Sequence, residues 1–316
     1  MVSSPFAQLV GQPQAVQLLT RAIASHRIAP AYVFIGPQGV GRSLAALEFL
    51  SLLIQTREQR SPLRTQLENH PDILRLEPTY LKNGKLIAAS AFSQTPDSRP
   101  KSRPQIRVAQ IRELTRFIHQ TPLEATRLLV LIDEADLMGE AAANALLKTL
   151  EEPGNACLIL LATTTEALLP TILSRCQKIP FYGLSTADLA QVLTAAGYDH
   201  ILHSPTLMRL AQGSPGAAIA HWQKRQDLDP DLLARCLCPP PHDEASLALA
   251  RDIDRQLDLE TQLWLVDYLQ QHYWFEQGQI SIVRILENTK MSLRQYVQPQ
   301  LTWEVTWFAI AEQAAA

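Results

Sequence analysis

The segment Gly36-Pro37-Gln38-Gly39-Val40-Gly41-Arg42-Ser43 constrains this chain more than any other. It fits the pattern G-x-x-x-x-G-K-[ST] everywhere except at the lysine, which is Arg42. Gly36, Gly39 and Gly41 would let backbone N–H groups converge on a phosphate without side-chain clash, and a following helix would add its positive end. Ser43 stands where a hydroxyl would ligate Mg²⁺. The context is right: Ala31 to Ile35 is an apolar β run and Leu44 to Ile54 reads as a helix. A glycine turn that closes a strand–helix joint and holds no ligand is the alternative. Arg42 keeps the charge of the lysine but is wide, planar and forked, so binding can survive where hydrolysis does not.

The second constraint is Leu128 to Asp136, LLVLIDEAD. Its first five residues carry no polar group, as in a strand covered on both faces of a parallel sheet. Asp133 at the strand end is placed to hold a Mg²⁺ shell and Glu134 to orient an attacking water; a solvated acidic turn that caps the next helix is the alternative. Leu158 to Ala162 is another buried strand, and Thr163 or Thr164 at its end could sense a γ-phosphate. Threonines at a strand end are also simply good β formers.

Around these motifs, strands alternate with helices to about residue 182, which predicts a doubly wound α/β layer. Helices are expected over Gln14 to Arg27, Gln105 to His119 and Glu140 to Leu150, with a short one starting at Pro170. Beyond residue 182 β runs disappear. Residues 227–243 contain a triple proline and read as a hinge, and long helical patterns dominate from Glu244. The helix expected over Gln298 to Ala311 is apolar on two sides: Leu301, Val305 and Phe308 on one, Trp303, Trp307 and Ile310 on the other. Such a helix is expected to be largely covered, its tryptophans serving as core or as interface anchors. Residues 93–104, rich in proline, serine and charge, are expected to form a mobile surface loop.

With 316 residues, two or three domains are expected. A net charge of −3 gives no global basic field, so any nucleic-acid contact must be local or come through a partner. Arginines 57, 60 and 64, and the cluster Arg99, Lys101, Arg103 and Arg107, read as solvated charge and not as a strand-binding surface. Cys157, Cys176, Cys236 and Cys238 form no disulfide or zinc pattern. No signal peptide and no membrane span is read, so a cytoplasmic location is expected.

Together, AYVFIGPQGVGRS, LLVLIDEADLMGEAAANALLKTLEEP and LLPTILSRCQKIPF resemble the bacterial clamp loaders, AAA+ assemblies that open a ring-shaped sliding clamp and set it on DNA. The resemblance covers nearly the whole chain and is densest between residues 5 and 222. It implies an α/β P-loop AAA+ domain with a parallel sheet (residues 1–182), a small helical lid (183–226) and an all-α collar that oligomerises (227–316). It also implies that Arg175, in Ser174-Arg175-Cys176, reaches into the ATP site of a neighbouring ATPase subunit as an arginine finger. From spacing alone, Arg175 would be a surface arginine at a helix C-terminus. Cys176 reads as a small buried apolar residue.

The segment Gly213 to Ala218 resembles the branch of the family that does not turn over ATP efficiently, because Gly216 stands where the ATPase subunits carry a sensor arginine. Implied partners are the ATPase and delta subunits, with the sliding clamp and primed DNA reached through the assembly. The implied cofactor is ATP or ADP with Mg²⁺ in a degenerate site. Many relatives carry a four-cysteine zinc module before His70. Residues 55–69 here contain no cysteine, so no zinc is expected. The segment from Pro78 to Pro104 is longer than the family pattern. Two other readings stay open at this stage: an ATP-hydrolysing subunit of the same machine, and a repair or recombination scaffold with an inactive P-loop.

Overall fold

The computed structural model describes residues 5–54, 70–82, 84–92, 103–238, 240, 242–295 and 297–315. The expected loop at 93–104 falls mostly outside them, as do the zinc-module position at 55–69 and residues Arg57, Arg60, Arg64, Arg99 and Lys101. The chain divides into two compact units, residues 1–188 and 189–316. The second unit contains most of the segment expected as a lid and all of the expected collar.

In the first unit, five parallel strands form one sheet in the order β2-β5-β6-β1-β7. They are β1 (Ala31–Ile35), β2 (Ile73–Leu76), β5 (Leu128–Ile132), β6 (Ala156–Ala162) and β7 (Gln177–Pro180). Strands β5 and β6 are buried at every residue, which is why their sequences lack any polar side chain. The flanking helices are α1 (Pro13–Ala24), α2 (Arg42–Ile54), α3 (Val108–Ile118), α4 (Glu140–Glu151) and the single turn α5 (Pro170–Leu173). Ile111, Leu114 and Ile118 of α3 and Ala142, Leu146 and Leu150 of α4 pack with Leu128, Val130 and Leu158 of the sheet. This is the α/β P-loop layer the sequence predicts.

The long insertion begins with structure of its own. Strands β3 (Thr79–Lys82) and β4 (Lys85–Ala88) form an antiparallel hairpin, followed by a 3₁₀ turn, Ala89–Phe92. Tyr80 meets Phe92 edge-on with ring centroids 5.2 Å apart.

The second unit is all helical: α6 (Thr186–Ala195) enters it, followed by α7 (Pro205–Ala211), α8 (Pro215–Asp227), α9 (Pro230–Leu237), α10 (Asp243–Gln256), α11 (Leu259–Phe275), α12 (Ile280–Arg294) and α13 (Pro299–Ala315). The 227–243 stretch is not a plain hinge, because α9 forms inside it. Asp229 caps α9, and Leu232, Leu233 and Cys236 are buried. The expectation for the last helix holds for one side only. Trp303, Trp307 and Ile310 are fully buried, with the two indoles stacked at 5.8 Å, whereas Leu301 and Val305 are 51% and 61% exposed. The tryptophans are therefore core residues, and Trp303 donates its Nε1 proton to Gln262 of α11 at 2.9 Å.

The segment entering β5 is fixed by one buried carboxylate. Asp72 accepts the backbone N–H groups of Leu123, Glu124 and Ala125 at 2.7, 2.7 and 2.6 Å. Burial raises its pKa, but the three donors outweigh burial and hold it below the ordinary aspartate value. A depressed folded-state pKa means the stabilisation is present above the unfolded-state value and is lost as pH falls through the folded-state one. Asp72→Asn is expected to cost about 2–3 kcal/mol near neutral pH. In urea unfolding monitored by circular dichroism, that gap should shrink as Asp72 is protonated at strongly acidic pH.

Candidate nucleotide site

The phosphate loop begins where β1 leaves the sheet. Gly36 donates its N–H to the Ala162 carbonyl of β6 at 3.2 Å, and Phe181 after β7 donates to the Ile35 carbonyl at 2.7 Å. A Cβ on Gly36 would lie 2.3 Å from the Phe181 carbonyl oxygen, a backbone atom that cannot step aside, so only glycine fits. Gly39 and Gly41 have φ values of +79° and +106°, in the left-handed half of conformational space. Buried Gln12 braces the loop. Its amide nitrogen donates to the carbonyls of Val40 (3.3 Å) and Tyr182 (2.7 Å), and its oxygen accepts from the Tyr182 N–H (3.1 Å).

The loop opens on a cleft of about 610 Å³. Gln38, Gly39, Gly41, Arg42 and Ser43 line it from the loop, and Asp133 and Glu134 from the end of β5. Sequence reasoning placed these residues together, and the fold does bring them together. Arg42 is only 6% exposed, and its Nη1 has no hydrogen-bond partner among the described residues. Burial lowers the Arg42 pKa against the pull of Asp136, Glu134 and Asp133. A guanidinium nevertheless stays charged. Glu134 sits at φ +46°, ψ +53°, a conformation unusual for a residue with a side chain. Burial first, then Asp136 and Asp133, raise its pKa.

Among the wall residues missed from the sequence are Arg75, Glu77, Tyr80 and Ser90. The last two belong to the insertion, which thus forms one side of the cleft. The Ser90 hydroxyl donates to the Glu77 carboxylate at 2.9 Å. Arg75 matters most. From edge strand β2 its Nε donates to Asp133 Oδ2 at 2.6 Å. A lone arginine within the otherwise apolar run ILRL was the available signal.

Of the expected site residues, Gly36 and Thr164 do not line the cleft, nor does Arg175, which was expected to act in a neighbour's site. Thr164 is exposed and does not line the cleft. The neighbouring Thr163 donates its hydroxyl to Asp136 at 2.8 Å. Arg175 also lies outside the cleft, just after α5, with its side chain 37% exposed. It donates to the Thr171 carbonyl at 3.0 Å and to Glu151 of α4 at 2.8 Å. Cys176 beside it is buried, and burial pushes its thiol up to about 12, so it is packing and not a nucleophile.

The loop glycines, the start of α2 and the buried guanidinium fit a phosphate. A Mg²⁺ ion fits less well, because the Asp133 oxygen expected to serve it is already held by Arg75.

The family described as "DNA polymerase III, delta subunit" matches residues 11–185, and "Cyanobacterial DNA polymerase III delta prime, C-terminal domain" matches residues 187–310. DNA polymerase III subunit delta' of Bacillus subtilis is 33% identical over 181 residues, 55% of this chain and 48% of that protein. The tau subunit of Escherichia coli is 32% identical over 219 residues, 66% of this chain and 31% of that protein. The chain thus matches about half, or less, of the length of these relatives. A solved DNA polymerase III gamma-subunit-related protein from Thermotoga maritima shares the fold, with a TM-score of 0.55 at 18% identity over 95% of this chain and 99% of that one.

Gly36→Ala is expected to destabilise the first unit by about 2–4 kcal/mol, through overpacking against backbone. The midpoint of urea unfolding, read against a variant such as Gln17→Ala on the exposed face of α1, checks this.

This chain belongs to the DNA polymerase III delta-subunit family.

Proposed function

Taking that membership as premise, we propose that the chain is a largely non-hydrolysing clamp-loader subunit. It completes the ATP site of a neighbouring ATPase subunit with Arg175 while the assembly loads a sliding clamp on primed DNA. The ATPase and delta subunits are its partners in this reading, and the clamp and DNA are reached through them.

One observation carries the reading. Arg175 belongs to the triplet Ser174-Arg175-Cys176, one of the two stretches on which the clamp-loader resemblance is highly specific, and it stands exposed, outside this chain's own cleft, on the turn between α5 and β7. Its present partner does not hold it back. An ion pair whose two side chains are 37% and 53% exposed is worth about 1 kcal/mol or less. Contact with a phosphate in a water-poor site is worth several times that. Arg175 can therefore leave Glu151 for a neighbour's γ-phosphate at little cost, giving up with it the exposed bond from its Nη1 to the Thr171 carbonyl. The exposed Leu301 and Val305 on α13 fit a collar that packs against other subunits.

The chain's own cleft is the weaker place for hydrolysis. Arg42 replaces the compact lysine charge, Arg75 engages Asp133, and Gly216 offers no arginine at the sensor position. The retained Glu134 favours the competing reading, an ATP-hydrolysing subunit. Steady turnover by the purified chain, abolished by Glu134→Gln, would decide for that one.

In an assembly reconstituted with the ATPase subunits, Arg175→Ala is expected to lower clamp- and DNA-stimulated ATP hydrolysis by about 10³-fold, with assembly intact by gel filtration. Glu151→Gln removes only the resting partner and should leave turnover within about twofold. Unchanged turnover with Arg175→Ala in an intact assembly would sink the proposal.

A further inference from the structure

We propose that the cleft of this chain holds a nucleoside polyphosphate without a divalent cation, with Arg75 standing in for the metal beside Asp133. The inference rests on the reading of the cleft as a phosphate site. It does not depend on the role of Arg175, so the two can fail separately.

The argument starts from what a P-loop site normally asks of the aspartate after its buried strand. That carboxylate holds the hydration shell of a Mg²⁺ ion, which bridges the β- and γ-phosphate oxygens and offsets their charge. For this it must be ionised, accessible to water and not paired with a protein cation. In this chain it is paired. The Arg75 Nε–H points at Asp133 Oδ2 at 2.6 Å, the short distance of a charge-assisted bond. The Asp133 side chain is 12% exposed, so water competes poorly for this contact. Mg²⁺ gives up hydration water reluctantly and demands near-octahedral geometry. To use Asp133 Oδ2 it would have to displace a guanidinium, and at Oδ1 it would sit beside that positive charge.

The same geometry provides for a phosphate. Arg75 lines the cleft with its side chain 43% exposed, so it is reachable from the cavity. Arg42 lines it too, more than nine-tenths buried, with Nη1 unpartnered among the described residues. A buried, unsatisfied guanidinium N–H is costly, and a phosphate oxygen suits this planar fork once the side chain turns Nη1 toward the cleft. Two arginine charges, the loop N–H groups and the start of α2 then face the ligand. They supply less charge than a lysine with Mg²⁺. That predicts modest affinity and no cation placed to activate a leaving group, in keeping with a subunit that binds but does not hydrolyse.

The test is titration of the purified chain with a fluorescent ATP analogue, followed by anisotropy, in Mg²⁺ and again in EDTA. The unmodified chain is expected to bind more tightly in EDTA than in Mg²⁺, since Mg²⁺ draws the nucleotide into a complex that the cleft does not take. Arg75→Leu releases Asp133 and should become metal-dependent, binding about tenfold more weakly in EDTA than in Mg²⁺. As a measurement independent of any variant, Mn²⁺ relaxation on the unmodified chain with ATP should show only the metal–nucleotide complex free in solution. Loss of binding in EDTA, a protein-bound Mn²⁺ signal, or no binding in either condition would each overturn the proposal.

Discussion

The first unit depends on the close approach of Gly36 to the backbone of Phe181. Strand β1 lies between β6 and β7, and its continuation must pass within van der Waals distance of the chain leaving β7. No side chain fits there. The loop therefore turns at one place, and Gln12 pins its far part by bonds to Val40 and Tyr182. The acidic end of β5 arrives opposite this loop because β5 is held in register with β6, and its entry is clamped by Asp72. A phosphate-shaped cleft is the consequence of sheet order and a few backbone contacts, before any catalytic group is considered.

What that frame can do is set by charge. Three acidic groups, Asp133, Glu134 and Asp136, converge on the buried Arg42, and Arg75 adds a second cation from the edge strand. The two guanidiniums offset two of the three carboxylate charges without a metal. Buried charge pairs give modest net stability but a strong preference for one arrangement, because breaking either partner leaves an unpaired charge. The cleft thus keeps the shape of an ATP site while its carboxylate is engaged by the protein itself. Arg175 is the opposite case: an exposed arginine with a weak partner, on a short turn between rigid elements. In the proposed reading, the inward-held Arg42 and Arg75 serve binding, and the loosely held Arg175 serves catalysis in a neighbour.

Much of this was legible in the sequence. Strands β5 and β6 could be read because burial on both faces removes every polar side chain, and the loop because three glycines answer to steric demands. Arg42, Ser43, Asp133 and Glu134 were found together because strand order brings the ends of β1 and β5 to the same side. Arg75 was not found, because its meaning comes from the pairing of β2 with β5, a contact between residues far apart in sequence. The β3–β4 hairpin is short and half-exposed, with too weak a pattern to stand out from the polar insertion around it. Helix α9 was hidden by the prolines that follow it. Periodicity marked both apolar sides of α13, but it reports which residues are apolar and not which of them this chain alone covers.

The central claim is that the catalytic contribution of this chain lies in its neighbour's site. A structure of the assembled complex with an ATP transition-state analogue tests it most directly. The account predicts the Arg175 guanidinium released from Glu151 and within about 3 Å of the analogue's terminal oxygens in the adjacent ATPase subunit. Arg175 still on Glu151, with the neighbouring site completed by another residue, would contradict it.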